Sequence, residues 1–213
     1  MDKFCEALYR ALQQDLGKVT RAVFIDRDGT INIDKEYLTD PDQIEFIEYS
    51  PEAISLANRL GLKVVVISNQ SGVARGLMTI DQVENVNKRL VEMLGSHGAV
   101  VDAIYYCPHH PSNGYVCTCR KPDIGMLLRA KEKFNLDLTL SFVVGDKWSD
   151  VKCGENAGAT TSLVMTGYGR ADYQRCIDDR IKIDYLAENL YDFIDNFVKK
   201  RLPQRDFIGK KNN

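Results

Sequence analysis

The chain has 213 residues, 44% apolar and 27% charged, enough for one well-cored domain and unlike a disordered or low-complexity protein. Its net charge of −2 gives no electrostatic reason to expect a nucleic acid or an anionic membrane surface as partner. No apolar run approaches membrane-spanning length, the longest being short stretches such as residues 64–67.

The opening stretch, MDKFCEALYRALQQDLGK, scatters charges among its apolar positions and does not read as a secretory signal. Phe4, Leu8, Ala11, Leu12 and Leu16 fall on one stripe of a short amphipathic helix. Residues 1–20 are therefore expected as a helical extension, 21–200 as the domain, and 201–213 as a basic, solvated tail. With no export signal, the cytoplasm is the expected compartment. A first strand, AVFI, runs into D-R-D-G-T at 26–30. Residues 50–61 then read as a helix, with Ser50 as N-cap, Pro51 at the first helical position and Gly61 closing it. Residues 62–68 form a β-branched strand. The next helix opens with Thr79 and Gln82 spaced as a capping box, and Val83, Val86, Leu90 and Leu94 line one face. Further strands are expected at 100–106, 140–145 and 161–165, and further helices at 125–134, 149–157 and 186–200. Ser149 caps the short helix and Gly158 stops it. Near-continuous apolar strands alternating with helices imply an α/β fold, a doubly wound parallel sheet covered on both faces.

In such sheets ligands sit at the carboxyl ends of the strands, near a switch in strand order. The polar clusters lie there. Strand one ends in Asp26-Arg27-Asp28-Gly29-Thr30, strand two in Ser68-Asn69-Gln70-Ser71-Gly72. After strand three comes Arg120-Lys121-Pro122, and strand four ends in Gly145-Asp146-Lys147-Trp148-Ser149-Asp150. An extended backbone would put Asp26 and Asp28 on one face. Two carboxylates ~5 Å apart repel by roughly 3 kcal/mol at an effective dielectric of about 20, and Asp146 adds more of the same sign. Such a site needs a cation or must take up a proton. Hard oxygen ligands suit Mg²⁺, which pairs with phosphate, and Ser68, Arg120, Lys121 and Lys147 are complementary donors. The set reads as phosphoryl transfer. No G-x-x-x-x-G-K-[ST] is present, which favours hydrolysis over transfer from ATP.

D-R-D-G-T, S-N-Q-S-G, R-K-P and G-D-K-x-x-D resemble the four motifs of the haloacid dehalogenase (HAD) superfamily of phosphatases. With GVARG and IYYCPHHP…CTCRKP, the stretch from about residue 22 to 198 is similar to the heptose bisphosphate phosphatases of that superfamily. The resemblance implies a Rossmann-like HAD core without a cap domain and with an inserted zinc-binding loop. It implies Asp26 as the nucleophile, forming an aspartyl-phosphate, and Asp28 as the acid and base. It gives Ser68 and Lys121 to the transferring phosphate. The Asp26 carboxylate, the Asp28 main-chain carbonyl and Asp146 would hold Mg²⁺, with Asp150 orienting a metal-bound water. Asp34, Tyr37, Asn69, Gln70, Ser71, Arg120 and Lys147 would meet a small sugar bisphosphate, two basic groups suiting two phosphates. The product would feed nucleotide-activated heptose synthesis for the lipopolysaccharide core. Neither nucleic acid nor membrane is expected as a partner, and a monomer is preferred.

Three of the six cysteines, Cys107, Cys117 and Cys119, lie within thirteen residues. With a histidine they complete a C-x-H…C-x-C set, which suits a closed tetrahedral zinc site better than disulfides. Both His109 and His110 are in range, and the resemblance picks His109. Because Cys119 precedes Arg120 and Lys121 directly, a structural zinc would brace the basic pair. Only seven residues separate His109 from Cys117, a short loop for that family. Trp148 is expected near the crevice rim, mainly as core filling. The competing functions are a histidinol-phosphate phosphatase, a broader sugar-phosphate phosphatase, a nucleic-acid end phosphatase and an inactive module that binds phosphorylated ligands. Intact Asp26, Asp28 and Lys121 argue against the last.

Overall fold

The computed structural model describes residues 20–111 and 117–202. The expected N-terminal helix, the basic tail and residues 112–116 of the cysteine loop lie outside the described residues. Six strands form one sheet: β1 (Ala22–Ile25), β2 (Lys63–Asn69), β3 (Ala103–Cys107), β4 (Phe142–Gly145), β5 (Thr160–Val164) and β6 (Tyr185–Ala187). Their order is β3-β2-β1-β4-β5-β6, and every pairing is parallel. Five helices connect them: α1 (Ser50–Arg59), α2 (Ile80–Ser96), α3 (Gly125–Phe134), α4 (Trp148–Asn156) and α5 (Gly169–Asp178). A last helix, α6, runs through Leu190–Asp192, widens to π-helical turns over Phe193–Val198, and ends with Lys199–Arg201.

The two-residue repeat of the strands sorts the core. Val23, Ile25, Val64, Val66 and Val144 point to the face covered by α1, α2 and α6, through Ile54, Leu90 and Phe193 among others. Ala22, Phe24, Val65, Ile67 and Val143 point to the other face, covered by Met126, Leu127 and Ala130 of α3 and Cys153 of α4. All four residues of β1 are fully buried, as expected for the central strand of a sheet covered on both sides. No separate domain interrupts the strands among the described residues. No described helix is long and apolar enough to cross a membrane.

The capping box of α2 forms as expected: Thr79 accepts from the Gln82 N–H, and Gln82 accepts from the Thr79 N–H. Ser50 behaves differently. Tyr49, at φ 62°, is the cap of α1, and the Ser50 hydroxyl donates to the Ile31 carbonyl, tying the helix to the loop after β1. At the C-terminal end the expected helix over 186–200 is corrected: Leu186 and Ala187 belong to edge strand β6, and the helix begins at Leu190. Helix α5 was not expected from the sequence. It buries only Gly169 and Cys176, so its apolar periodicity is faint.

The sheet order fixes the site. From β1 the chain winds outward to β2 and β3, then returns to place β4 on the other side of β1. The carboxyl ends of β1 and β4 therefore meet at the switch point, where a crevice opens.

Candidate active site

Asp26 leaves β1 beside the end of β4, its N–H donating to Val144 at 2.9 Å. Asp146 follows β4, and Asp150 sits on the first turn of α4. Oxygen atoms from these three carboxylates lie within 4.8 Å of one another. Their residues are 4%, 0% and 1% exposed. Lys121 reaches in from the cysteine loop, with its Nζ 2.8 Å from Asp26 Oδ1 and 2.6 Å from Asp150 Oδ1. The same Nζ donates to the Ile67 carbonyl of β2 at 2.8 Å. Lys147 stands 2.9 Å from Asp34 and 4.0 Å from Asp146.

Three buried acids and two lysines leave unbalanced negative charge. Burial, reinforced by Asp26, pushes the Asp146 carboxyl up to about 8. Burial and Asp26 also raise Asp150, to about 6. Burial disfavours charge on both lysines, but Asp150 and Asp26 outweigh it at Lys121, and Asp26, Asp146 and Asp34 outweigh it at Lys147. Asp146 Oδ2 accepts the Tyr168 N–H at 2.8 Å, whereas the buried Oδ1 has no hydrogen-bond donor among the described residues. An acidic pocket with a donorless oxygen is the chemistry of a hard divalent cation site. Gly29 (φ +84°) and Gly167 (φ +52°) both pack against Asp146, and a Cβ on either would overlap its Oδ2. A Cβ on Gly145 would overlap the Asp150 carboxylate in the same way.

The Asp28 carboxylate does not belong to this cluster. The chain leaves strand geometry at Asp26 and turns, with the Arg27 carbonyl accepting the N–H groups of Ile31 and Asn32 at 2.9 and 3.1 Å. The Asp28 carboxylate consequently faces Arg27, with Nη2 at 2.8 Å from Oδ2 and Nε at 3.1 Å from each oxygen. Asn32 donates to Oδ1 at 3.0 Å and Gln70 to Oδ2 at 2.9 Å. Burial would raise the Asp28 carboxyl, but Arg27 and these amides overcome it and hold it below the usual carboxylate range. The third member of the acidic trio is thus Asp150.

A crevice of about 870 Å³ opens over this centre, lined by Asp26, Asp28, Asp34, Tyr37, Ser68, Asn69, Ser71, Arg120, Lys121 and Lys147. Gln70 and Asp146 stand behind its wall. Gln70 donates to Ser68 Oγ at 2.7 Å, linking that hydroxyl to Asp28. Asn69 pairs with the main chain of Lys121, its amide donating to the carbonyl and accepting the N–H, each at 3.1 Å. The crevice also takes in Trp148 and Tyr168. Trp148 carries Arg175 at 3.8 Å over its ring, and Tyr168 carries Lys147 at 4.7 Å. Tyr168 went unnoticed in the sequence, although T-G-Y-G follows β5 as the other clusters follow their strands.

The cysteine loop closes on itself beside the crevice. Cys107 Sγ lies 3.6 Å from both His109 Nδ1 and Cys117 Sγ, and Cys119 Sγ lies 3.4 Å from His109 Nδ1. Tetrahedral zinc, with bonds of about 2.3 Å to sulfur and about 2.0 Å to nitrogen, needs ligand–ligand edges of roughly 3.5–3.8 Å. The three contacts, at 3.4–3.6 Å, come close to that spacing, all four ligand atoms lie within 4.8 Å of one another, and His109 rather than His110 belongs to the set. Burial pushes the Cys107 thiol up, a cost that a bound cation would offset. Arg120 donates from Nη1 to the His109 carbonyl at 3.1 Å, which ties the basic pair to the loop.

A family model described as HAD-hydrolase-like matches residues 118–193. The D-glycero-D-manno-heptose-1,7-bisphosphate 7-phosphatase of Chlorobaculum tepidum is 36% identical over 197 residues, covering 87% of this chain and 98% of the relative. The D-glycero-beta-D-manno-heptose-1,7-bisphosphate 7-phosphatase of Pasteurella multocida is 39% identical over 177 residues, covering 81% of this chain and 94% of the relative. A solved structure of D,D-heptose 1,7-bisphosphate phosphatase from B. bronchiseptica, complexed with magnesium and phosphate, superimposes with a TM-score of 0.77. It is 31% identical, with 85% of this chain and 99% of that one covered. With strand order, site and relatives in agreement, the chain belongs to the heptose-bisphosphate phosphatase family of HAD-like phosphoric monoester hydrolases.

Proposed function

We propose that the chain removes the 7-phosphate of D-glycero-D-manno-heptose 1,7-bisphosphate by two displacements at phosphorus. The observation that supports this most is the buried set of Asp26, Asp146, Asp150 and Lys121 at the β1/β4 switch, where the Asp26 carboxylate is held by Lys121 at 2.8 Å. In the first step a carboxylate oxygen of Asp26 bonds to phosphorus as the bond to the sugar oxygen breaks. Asp28 gives that oxygen a proton. In the second, Asp28 takes a proton from the water that attacks phosphorus, the bond to Asp26 breaks, and inorganic phosphate leaves. Ser68 and Lys121 hold oxygens of the transferring group.

The donorless Asp146 Oδ1 and the all-oxygen surroundings suit Mg²⁺. The carboxylates of Asp26 and Asp146 and the main-chain carbonyl of Asp28 would hold it, with Asp150 alongside orienting a coordinated water. Bound there, Mg²⁺ supplies positive charge to the phosphoryl oxygens. Asp34, Tyr37, Asn69, Gln70 and Ser71 shape the sugar's place, while Arg120 and Lys147 serve the second phosphate. A structural zinc on Cys107, His109, Cys117 and Cys119 would keep Arg120 and Lys121 aimed. The cytoplasm is the compartment we assign, and a monomer the working state.

The test is Mg²⁺-dependent phosphate release from heptose 1,7-bisphosphate, fructose 1,6-bisphosphate and histidinol phosphate, compared by kcat/KM. The heptose substrate should lead by at least about tenfold, the discrimination expected from about 1.4 kcal/mol of differential transition-state binding. Equal or better turnover of histidinol phosphate would overturn the reading.

A further inference from the structure

Arg27 has the largest side chain among the fully buried residues, and it is 1% exposed. A cation is costly to bury, and this one does not join the acidic trio. Its guanidinium divides its bonds. Nε and Nη2 engage the Asp28 carboxylate, and Nη1 donates to Asn87 Oδ1 at 2.8 Å. Asn87 lies on α2, sixty residues along the chain, and is itself only 8% exposed. It shares the buried face of the helix with Val83, Val86, Leu90 and Leu94.

A leucine would serve that face better by every packing criterion, since asparagine is a weaker helix former and brings a polar group into the core. Its amide oxygen is accounted for by Arg27. The guanidinium is planar, so fixing Nη1 at one end and Nε with Nη2 at the other fixes its plane. A carboxylate held by two edge nitrogens then inherits that orientation. The Asp28 side chain retains 15% exposure, and Asp28 lines the crevice, so the held carboxyl still faces the substrate's place.

We propose that Asn87 and Arg27 are positioning residues that aim Asp28 at the departing sugar oxygen, transmitting the placement of α2 to the proton-transfer group. This rests on the role given to Asp28 above. Neither residue lines the crevice. Because Arg27 holds Asp28 below the usual carboxylate range, Asp28 must first take up a proton as substrate binds; as the phosphorus–oxygen bond breaks, its electron pair goes to the sugar oxygen and that proton follows. The carboxylate left behind already faces the Arg27 fork.

The test exploits leaving groups. A sugar alkoxide needs the proton, whereas p-nitrophenolate leaves without one, so loss of aim harms the first far more than the second. The first step is read in single turnover with enzyme in excess, as release of dephosphorylated heptose or of p-nitrophenol. Asp28→Asn should slow heptose release by roughly 10²–10⁴-fold and p-nitrophenol release far less. Asn87→Leu, which keeps the volume of the site, should slow heptose release by roughly 10- to 100-fold. It should change p-nitrophenol release by less than about threefold, which also reports that the variant is folded. Asn87→Asp, which keeps an acceptor for Nη1, should restore most of the heptose rate. If Asp28→Asn divides the two substrates and Asn87→Leu slows neither, or both equally, the positioning role is overturned. If Asp28→Asn itself fails to divide them, the role of Asp28 falls first, and this proposal with it.

Discussion

Gly167 has no side chain where the Asp146 carboxylate occupies the space that one would need. It lies at φ +52°, and Gly29 packs against it from the other strand end at φ +84°. The Asp146 carboxylate consequently lies against two glycines, with one oxygen on the Tyr168 N–H. Gly167→Ala adds a Cβ that must displace Asp146 and sit in a left-handed conformation. Overpacking of this kind costs about 1–3 kcal/mol. We expect its Tm to fall by roughly 3–10 °C, with a weaker apparent affinity for Mg²⁺ in activity titrations. An alanine variant with unchanged Mg²⁺ dependence would show that Asp146 is not held this way. Single-residue geometry of this sort is hard to read in a sequence. D-R-D suggests two acids on one strand face, yet the turn after β1 sends Asp28 to Arg27 and leaves the third acidic place to Asp150.

The cysteine loop is the element that joins two chemistries. Its three cysteines and His109 bring four candidate ligand atoms within 4.8 Å of one another, and its last cysteine is followed by the two basic residues. Arg120 is tied to His109 and the Lys121 main chain to Asn69, so disorder in the loop would spread to the crevice. Purified protein should contain about one zinc per chain. Cys119→Ser should lose it, and amide hydrogen exchange over residues 117–121 should then quicken, with KM raised more than the folded fraction falls. A folded, fully active preparation without zinc would refute this. At this scale the sequence was informative where periodicity was strong. Helices α1, α2, α3 and α4 fall within a residue or two of their expected spans, since each has a buried stripe or clear stop signals. Helix α5 has almost no stripe, and β6 is a three-residue edge strand with Leu186 44% exposed. Local pattern carries little signal for such pieces, which owe their form to the sheet they join.

Across the whole molecule the parallel order β3-β2-β1-β4-β5-β6 gathers residues from four strand ends at one switch point. That convergence was legible because parallel sheets place their ligand-bearing loops on one edge. The buried partners behind the loops were not, because Asn87 reads as one polar position in a helix until its neighbour Arg27 is placed. Concentrated acid also sets the pH response of the metal-free protein. Asp146 rises from the ordinary aspartate value of 3.8 to about 8 on burial beside Asp26, and Asp150 to about 6. Between roughly pH 4 and pH 8 the folded chain therefore keeps protons that the unfolded chain has lost, and stability falls as pH rises. Without metal, Tm should be lower at pH 8 than at pH 5.5, and millimolar Mg²⁺ should narrow the gap by replacing the protons. A metal-free Tm that rises over this range would contradict the charge balance drawn here. The central claim is that Asp26 itself accepts the phosphoryl group, and it is tested most directly by trapping. In Asp28→Asn the second step lacks its base, so p-nitrophenyl phosphate and Mg²⁺ should load the enzyme. Acid quenching followed by peptide mass spectrometry should find the phosphoryl group on Asp26. A burst of p-nitrophenol with no phosphorylated peptide, or with the group on any other residue, would contradict the account.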